Sequence, residues 1–534
     1  MSATGEEKAH GSGSETSSTD QVEIYERPRG WRGVYYHPAT QVCLVGVVCF
    51  MCPGMFNALT GLGAAGAVDA TTSANANSAL YSTFAFFAFF FWVSRPQCSV
   101  SSVHNVVGPR VCLLLGTWGY SLLIGSYFAA SLHPGAGDFV VAAGAILGVC
   151  AALVWTAQGS LMMAYPTEAQ KGTFIGYFWA IFNLGSVVGS SVAFGSNFNS
   201  TANKVGNGTY IGFLILSLTG VVLPLFLADP YKMIRTDGTR VAPIRHPSWK
   251  TEFISLFVAL QTDPWIVLLF PMFFASNYFY TWQFNDYNGA LFNIRTRGLN
   301  NFVYWTAQIF GSFFIGHFVL DLRRFRRRVR AFLGWSIVVV LVFAVHLWSY
   351  YYQLTYTRAS DPPTAVKMDI DDPGYPAHVW LMIFYGLLDS MWQTTAYWLM
   401  GAMSNDPAKL AVFTGFYKCF QSAGSAVVWR LDAVQKPYMN IFISTWVLAA
   451  AGMICAFPLV YARVKTTRRW TMRLCWPDQT SRNFLYRLRR NKATCVRPAR
   501  EDVFMTHELV MRFLLFLYLR VSVVVLLSKG IVRY

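Results

Sequence analysis

Between Gln41 and Arg463 the chain carries roughly twelve stretches of about 20 mainly apolar residues. They start near Gln41, Ala79, Val111, Phe139, Gly172, Ile211, Trp265, Asn301, Ala331, Ala377, Ala408 and Met439. In hydrocarbon such a stretch satisfies its backbone hydrogen bonds as a helix, so the series predicts an all-α membrane protein with twelve transmembrane helices. Composition closes off a water-soluble fold, because 54% of the 534 residues are hydrophobic and only 13% are charged. No apolar signal-peptide core precedes Gln41, and Ser, Thr, Gly and Glu dominate the start, so residues 1–40 read as a disordered cytosolic tail.

The net charge of +17 would suit a nucleic-acid binder, but its placement follows a membrane. Arg27, Arg29, Arg32, the basic stretch 232–250 and the arginines of 323–330 fall on one set of loops, and the alternate loops hold few Lys and Arg. By the positive-inside rule both termini are cytosolic. The sequons at Asn199 and Asn207 fall after the fifth span, on the opposite face, where N-glycosylation occurs. Residues 463–534 read as a cytosolic tail: 463–500 is basic and interleaved with aromatics, which favours anionic lipid over nucleic acid, and 513–527 reads as an interfacial helix or as an unnatural tail.

The chain also repeats itself. The frame Gly176-Tyr-Phe-Trp-Ala-Ile-Phe-Asn-Leu-Gly-Ser returns about 240 residues later as Gly415-Phe-Tyr-Lys-Cys-Phe-Gln-Ser-Ala-Gly-Ser. Pro53 with Asn57 in the first span is matched by Pro271 with Asn277 in the seventh, and Tyr81-Ser-Thr83 by Tyr304-Trp-Thr306. Parallel repeats of this kind predict two six-helix bundles of major facilitator type, 41–229 and 265–462, joined by a proline-rich cytosolic linker, 230–264. The mismatch inside the frame is Trp179 against Lys418.

Several long stretches carry a family resemblance: Cys52-Pro-Gly-Met-Phe-Asn-Ala-Leu, Tyr165-Pro-Thr-Glu-Ala-Gln-Lys-Gly172, the runs from Phe273 to Asp286 and from Asn288 to Arg297, and Gly415-Phe-Tyr-Lys418. Through them the chain, from about Tyr36 to Arg463, resembles the fungal form of the Unc-93-like branch of the major facilitator superfamily. The resemblance implies the twelve-helix fold. It implies either transport or a role as regulator or trafficking partner of other membrane proteins. In the superfamily the loop between spans two and three carries an acid; this chain has Asn105 there, before Gly108 and Arg110. The second half keeps Asp321, followed by basic residues that include Arg324. By resemblance these five form a cytosolic conformational gate. The first-half loop is about seven residues longer than the second, and the surplus at 91–100 reads as an insertion or a gene-prediction error.

Ionisable side chains at the centre of a spanning helix cost about 2.5–3.5 kcal/mol on insertion scales, so each needs a partner or a wet cavity. Asp389, about a dozen residues into span ten, and Lys418, about ten into span eleven, lie within roughly one helical turn in depth. They are expected to pair, as a switchable ion pair coupling a proton or substrate to rocking of the halves, or as a static bridge. Snorkelling of Lys418 is the third arrangement. The amides Asn57, Gln158, Asn183, Asn277, Gln283, Gln308, Gln393 and Gln421 either glue helices together or line a cavity. Trp155, Trp179, Trp282, Trp305, Trp392 and Tyr397 would complete such a cavity for an amphipathic or aromatic molecule.

Glu168 with Lys171, and Asp406 with Lys409, occupy repeat-related turns as gates or caps. Asp286, Arg295 and Arg297 form an external gate or fold their own loop, and His317 is a titrating or a structural histidine. Cys49-x-x-Cys52 lies mid-span without a second ligand pair and reads as buried thiols. The sequence shows no P-loop, dinucleotide fingerprint, zincin motif or Ser/His/acid set, so no catalytic, metal or cofactor site is expected. The resulting expectation is a multi-pass transporter moving a small organic solute or ion by alternating access, with protons coupled through Asp389. Its rival is a non-transporting regulator or chaperone with a membrane-protein partner.

Overall fold

A computed structural model describes residues 25–26, 28–66, 69–90, 108–167, 171–200, 203–229, 232–241, 260–322, 324–361, 365–404 and 407–464. Helix begins earlier than composition suggests: α1 (Trp31–Tyr35) and the start of α2 (Pro38–Gly61) fall inside the stretch assigned to a disordered tail. The physical reason is a cap. Pro38 opens α2 with a preset φ, and His37 Nδ1 accepts from the Ala39 N–H at 3.1 Å.

There follow α3 (Ala70–Phe90), α4 (Pro109–Leu132), α5 (Pro134–Met162), α6 (Phe174–Ser196) and α7 (Asn207–Phe226). The rest are α8 (Pro264–Ala275), α9 (Trp282–Gly289), α10 (Ile294–Leu320), α11 (Arg327–Gln353), α12 (Tyr375–Met403), α13 (Pro407–Ala433) and α14 (Tyr438–Arg463). Among the described residues, eight helices are long and apolar enough to cross a membrane: α2, α4, α5, α6, α7, α10, α11 and α14. The long helices α3, α12 and α13 carry polar residues along their length instead, and the α8–α9 run is interrupted. All four contribute to the lining of the central cavity described below.

The buried apolar residues form two clusters, one spanning Val42 to Val241 and the other Ile266 to Val464. Each holds one intruder from the other half, Ile294 in the first and Ala74 in the second. The halves meet where α3 packs on α13 and α6 on α10. The repeated frame has the same task in each copy. A Cβ on Gly185 would lie 2.4 Å from the Phe50 carbonyl oxygen, and one on Gly424 would lie 2.1 Å from that of Phe274. Only glycine allows α6 to close on α2, and α13 on α8, to that distance.

Two helices are broken at related places. Helix α2 kinks at Cys52–Pro53, where proline removes a donor, and a turn at 276–279 separates α8 from the π-helical α9. Asn277 sits in the second interruption and Asn57 one turn after the first, near the kind of position where membrane helices expose backbone and amides to a cavity.

Candidate functional site

A cavity of about 90 Å³ lies between the halves. Asn57, Trp155, Trp179 and Asn183 line it from the first half; Asn277, Tyr280, Trp305, Gln308, Gln393, Lys418 and Gln421 line it from the second. Most of the amides read from the sequence are therefore brought together. Two are not: Gln158 is absent from the lining, and Gln283 lies behind it, buried, accepting from the Tyr304 hydroxyl at 3.0 Å. Trp282 and Trp392 also turn away, donating to Gln353 Oε1 and Ser276 Oγ inside the second half.

The expected contact between Asp389 and Lys418 is not made. Asp389 is buried behind the cavity wall in a cage of donors. Its Oδ2 accepts from Tyr280 at 2.8 Å, Tyr304 at 3.0 Å and Gln308 at 2.5 Å, and its Oδ1 from Gln393 at 2.7 Å. Four donors satisfy the carboxylate without a cation. Lys418 faces the cavity instead, donating to Gln421 Oε1 at 3.0 Å, with its Nζ 5.0 Å from the Trp155 ring centroid.

A relay joins the two charges. Gln421 Nε2 donates to Asn277 Oδ1 at 2.8 Å and to the Tyr417 oxygen at 3.3 Å. Tyr417 donates to Gln393 Oε1 at 3.4 Å, and Gln393 donates to Asp389. The i, i+4 spacings 389/393 and 417/421 stack these partners on one face of each helix. Tyr280, Tyr304 and Tyr417 are the members that sequence reasoning missed. The repeat-matched Tyr304 and the Tyr417 inside the duplicated frame were the available signals. The mismatched pair converges too: Trp179 stacks on Trp155, the same indole that Lys418 overlies.

Away from the centre, amides clamp the halves together at one end. Asn285 Oδ1 accepts from Ala64 N at 2.8 Å, Asn288 donates to Gly61 O at 2.9 Å, and Asn301 donates to Ala58 O at 2.6 Å. Arg297, buried, donates to Asn203 O at 2.6 Å and Gly66 O at 3.4 Å. The clamped loop holds Ala64 and Ala65 at φ of 46° and 48°, a left-handed geometry that costs an alanine free energy and that the surrounding contacts must maintain. Asn285 also donates to Asp432 Oδ2 at 2.8 Å, and Arg358 pairs with Asp432 and Asp286. Of the three residues read as gate or loop, Arg297 thus joins the halves. Arg295 instead pairs with Asp369 at 2.6 Å and Asp371 at 2.5 Å within the second half. It holds the Asp369 carboxyl well below the usual carboxylate range, mainly by hydrogen bonding.

At the other end, Lys409 at 3.1 Å and Arg463 at 2.9 Å share the Asp263 carboxylate. Arg110 donates to Leu225 O at 2.9 Å, and Gly108, at φ 85°, starts α4. Asp321 and Arg324 are exposed. Asn105, Glu168, Asp406 and the stretches 91–100 and 465–534 lie outside the described residues, as does most of the 230–264 linker. His317 stacks on Phe313. Asn199 and Asn207 are exposed, while the Thr209 hydroxyl is buried against Ser196 and Asn197. Cys49 and Cys52 are buried free thiols.

Residues 71–460 match the sequence profile of the family described as ion channel regulatory protein UNC-93. The chain is 44% identical over 448 residues to an UNC93-like protein of Schizosaccharomyces pombe, covering 83% of this chain and 87% of that one. UNC93-like protein 1 of Arabidopsis thaliana is 39% identical over 459 residues, covering 85% and 95%. Among solved structures, the fold is similar to the partially occluded, inward-open xylose transporter XylE from E. coli. That match has a TM-score of 0.54 at 13% identity and covers 79% of this chain and 97% of that one. A D-xylose–proton symporter matches at TM-score 0.54 and 14% identity, covering 81% and 99%.

Proposed function

Since the chain belongs to the UNC-93 family and shares its fold with solved transporters, we propose that it moves a small organic solute or ion across a membrane by alternating access, coupled to protons. The reading takes the chain as twelve spans in two six-helix bundles, 41–229 and 265–462, with 230–264 and both termini cytosolic. Asn199 and Asn207 then lie on the non-cytosolic side as glycan acceptors. The observation that carries it is the caged Asp389, wired by amides and phenols to a cavity shared by both halves.

The chemistry follows from the cage. A carboxylate accepts hydrogen bonds only, so a proton arriving at Asp389 turns one acceptor position into a donor and forces a cage member to let go. Gln393 and Tyr280 line the cavity as well as the cage, so the change reaches any solute there and, through Tyr417 and Gln421, reaches Lys418. Alternation then requires the 61–66 clamp to open, with Gly108, Arg110, Asp321 and Arg324, and Asn105 in the adjoining loop, acting at the opposite end. The test is uptake into proteoliposomes under an imposed pH gradient. Asp389→Asn should abolish gradient-driven accumulation while leaving exchange at equal pH, and accumulation at the wild-type rate in that variant overturns the coupling.

A second reading, regulation of other membrane proteins, draws on the family's description and on the cavity. At about 90 Å³ it is well below the roughly 300 Å³ of a drug-sized site. Absence of flux for every solute tried, together with a partner protein whose delivery needs the intact chain, would favour it.

A further inference from the structure

The central cavity has an unbalanced charge. Among the described residues that line it, Lys418 is the one carrying a full charge at neutral pH; the others are amides, hydroxyls and apolar or aromatic groups. An ammonium offers three donors, and one is spent on the neutral Gln421 Oε1. Its remaining close neighbours are the ring faces of Trp155 at 5.0 Å and Tyr417 at 5.4 Å. Among the described residues no carboxylate forms an ion pair with it. Asp389 does not fill that role, because it stands behind the wall and its oxygens already accept from four donors.

A buried cation held only by neutral groups favours any anion that enters its cavity, since the pair forms where water is scarce and screening weak. The rest of the lining suits an anion as well. Asn277 has its Oδ1 occupied by Gln421, which leaves its amide N–H groups as its donors, and it lines the cavity together with Asn57 and Asn183. The stacked Trp155 and Trp179, ring centroids 6.4 Å apart, offer flat apolar faces beside the ammonium.

We propose that this cavity binds a small organic monoanion, its carboxylate on Lys418 and its apolar or aromatic body against Trp155 and Trp179. The proposal rests on the reading of the central cavity as a solute site and names the class of solute. It also gives the mismatch of the repeat a use. Where one copy places Trp179 the other places Lys418, and the two supply the apolar and charged halves of one amphipathic ligand.

Calorimetric titration of the purified full-length chain in detergent with benzoate, its isostere benzamide, and benzylamine, a cation of similar size, tests it without requiring transport. Benzoate should bind about tenfold or more tighter than benzamide, a difference of roughly 1.4 kcal/mol, and benzylamine more weakly still. Lys418→Gln should erase the preference for benzoate, and Lys418→Arg should keep most of it, which separates loss of charge from loss of fold. Equal or tighter binding of benzamide or benzylamine, no saturable benzoate binding by monodisperse wild-type protein, or an undiminished benzoate preference in Lys418→Gln would each overturn the proposal. Benzoate binding with no solute flux in vesicles would sink the transport reading and leave the anion site standing. Flux of a neutral or cationic solute without benzoate binding would do the reverse.

Discussion

Asp389→Asn and Asp389→Ala should separate the fold from the coupling. Hydrogen bonds to a charged acceptor contribute about 1.5–3 kcal/mol each and neutral ones about 0.5–1.5. Asp389 accepts four, so an isosteric amide forfeits about 4–6 kcal/mol of hydrogen bonding. Against this stands the removal of a buried charge whose desolvation costs several kcal/mol. The two nearly cancel, and Asn should change stability by less than about 2 kcal/mol. Geometry permits the exchange: Asn Oδ1 can keep the three donors now on Oδ2, and Gln393 can turn its amide so that its oxygen meets the new N–H. Alanine offers no acceptor. Tyr304 can fall back on Gln283, but Tyr280, Gln308 and Gln393 each lose the acceptor that Asp389 supplied, because Gln393 Nε2, 3.4 Å from the Tyr280 oxygen, is itself a donor. Three orphaned donors at about 1–3 kcal/mol each give a loss of about 3–9 kcal/mol. Unfolding followed by tryptophan fluorescence in mixed micelles gives the first quantity, and pH-driven uptake gives the second. An Asn variant as unstable as the Ala variant would show that the cage needs the charge to fold. An Asn variant that still accumulates solute under a pH gradient would remove Asp389 from the coupling.

Three further outcomes follow from the geometry. Gly63 sits at φ +74°, and a Cβ there would lie 2.3 Å from the Phe284 carbonyl oxygen. Gly63→Ala should therefore weaken the clamp by about 2–4 kcal/mol and raise labelling of an Asn183→Cys reporter by an impermeant thiol reagent added on the side of the membrane that the clamp faces; unchanged labelling would clear the clamp of any gating role. Gly185→Val and Gly424→Val should each destabilise by about 1–3 kcal/mol in thermal unfolding, whereas Gly176→Ala, with open space around it, should be close to neutral. A tolerated valine at either packed position would contradict the helix contacts. The Asp369 carboxyl is held low by Arg295, so its contribution is complete above the unfolded carboxylate pKa of about 3.9 and is lost as pH falls through the lower folded value. Protection of 365–374 against hydrogen exchange, taken relative to the intrinsic rate at each pH, should fall below about pH 4 in the wild type and fall less in Asp369→Asn; a wild-type loop equally protected above and below about pH 4 would remove the pair from the account.

The sequence by itself determined the solvent and the doubling. Apolar runs of helical length leave a chain no stable home in water, and Gly185 and Gly424 could be matched because close helix approach has one residue-level solution. It also nominated the residues of the cavity, because amides are costly in hydrocarbon and stand out against it. Depth along a helix is legible at 1.5 Å per residue, which is how Asp389 and Lys418 come to be considered together, and one hydrogen-bond relay runs between them. Rotation about the helix axis is not legible when polar residues are too few to define a face. Only the tertiary structure decided that Asp389 turns toward Tyr280, Tyr304 and Gln308 while Lys418 turns toward Trp155. Likewise the clamp of Asn285, Asn288, Asn301 and Arg297 on the 58–66 segment and Asn203 joins groups far apart in the chain, through backbone carbonyls and an N–H that no side-chain pattern announces. Hydrogen bonds to backbone leave no trace in residue identity at the accepting end, and for that reason the fold had to be built before the site could be seen.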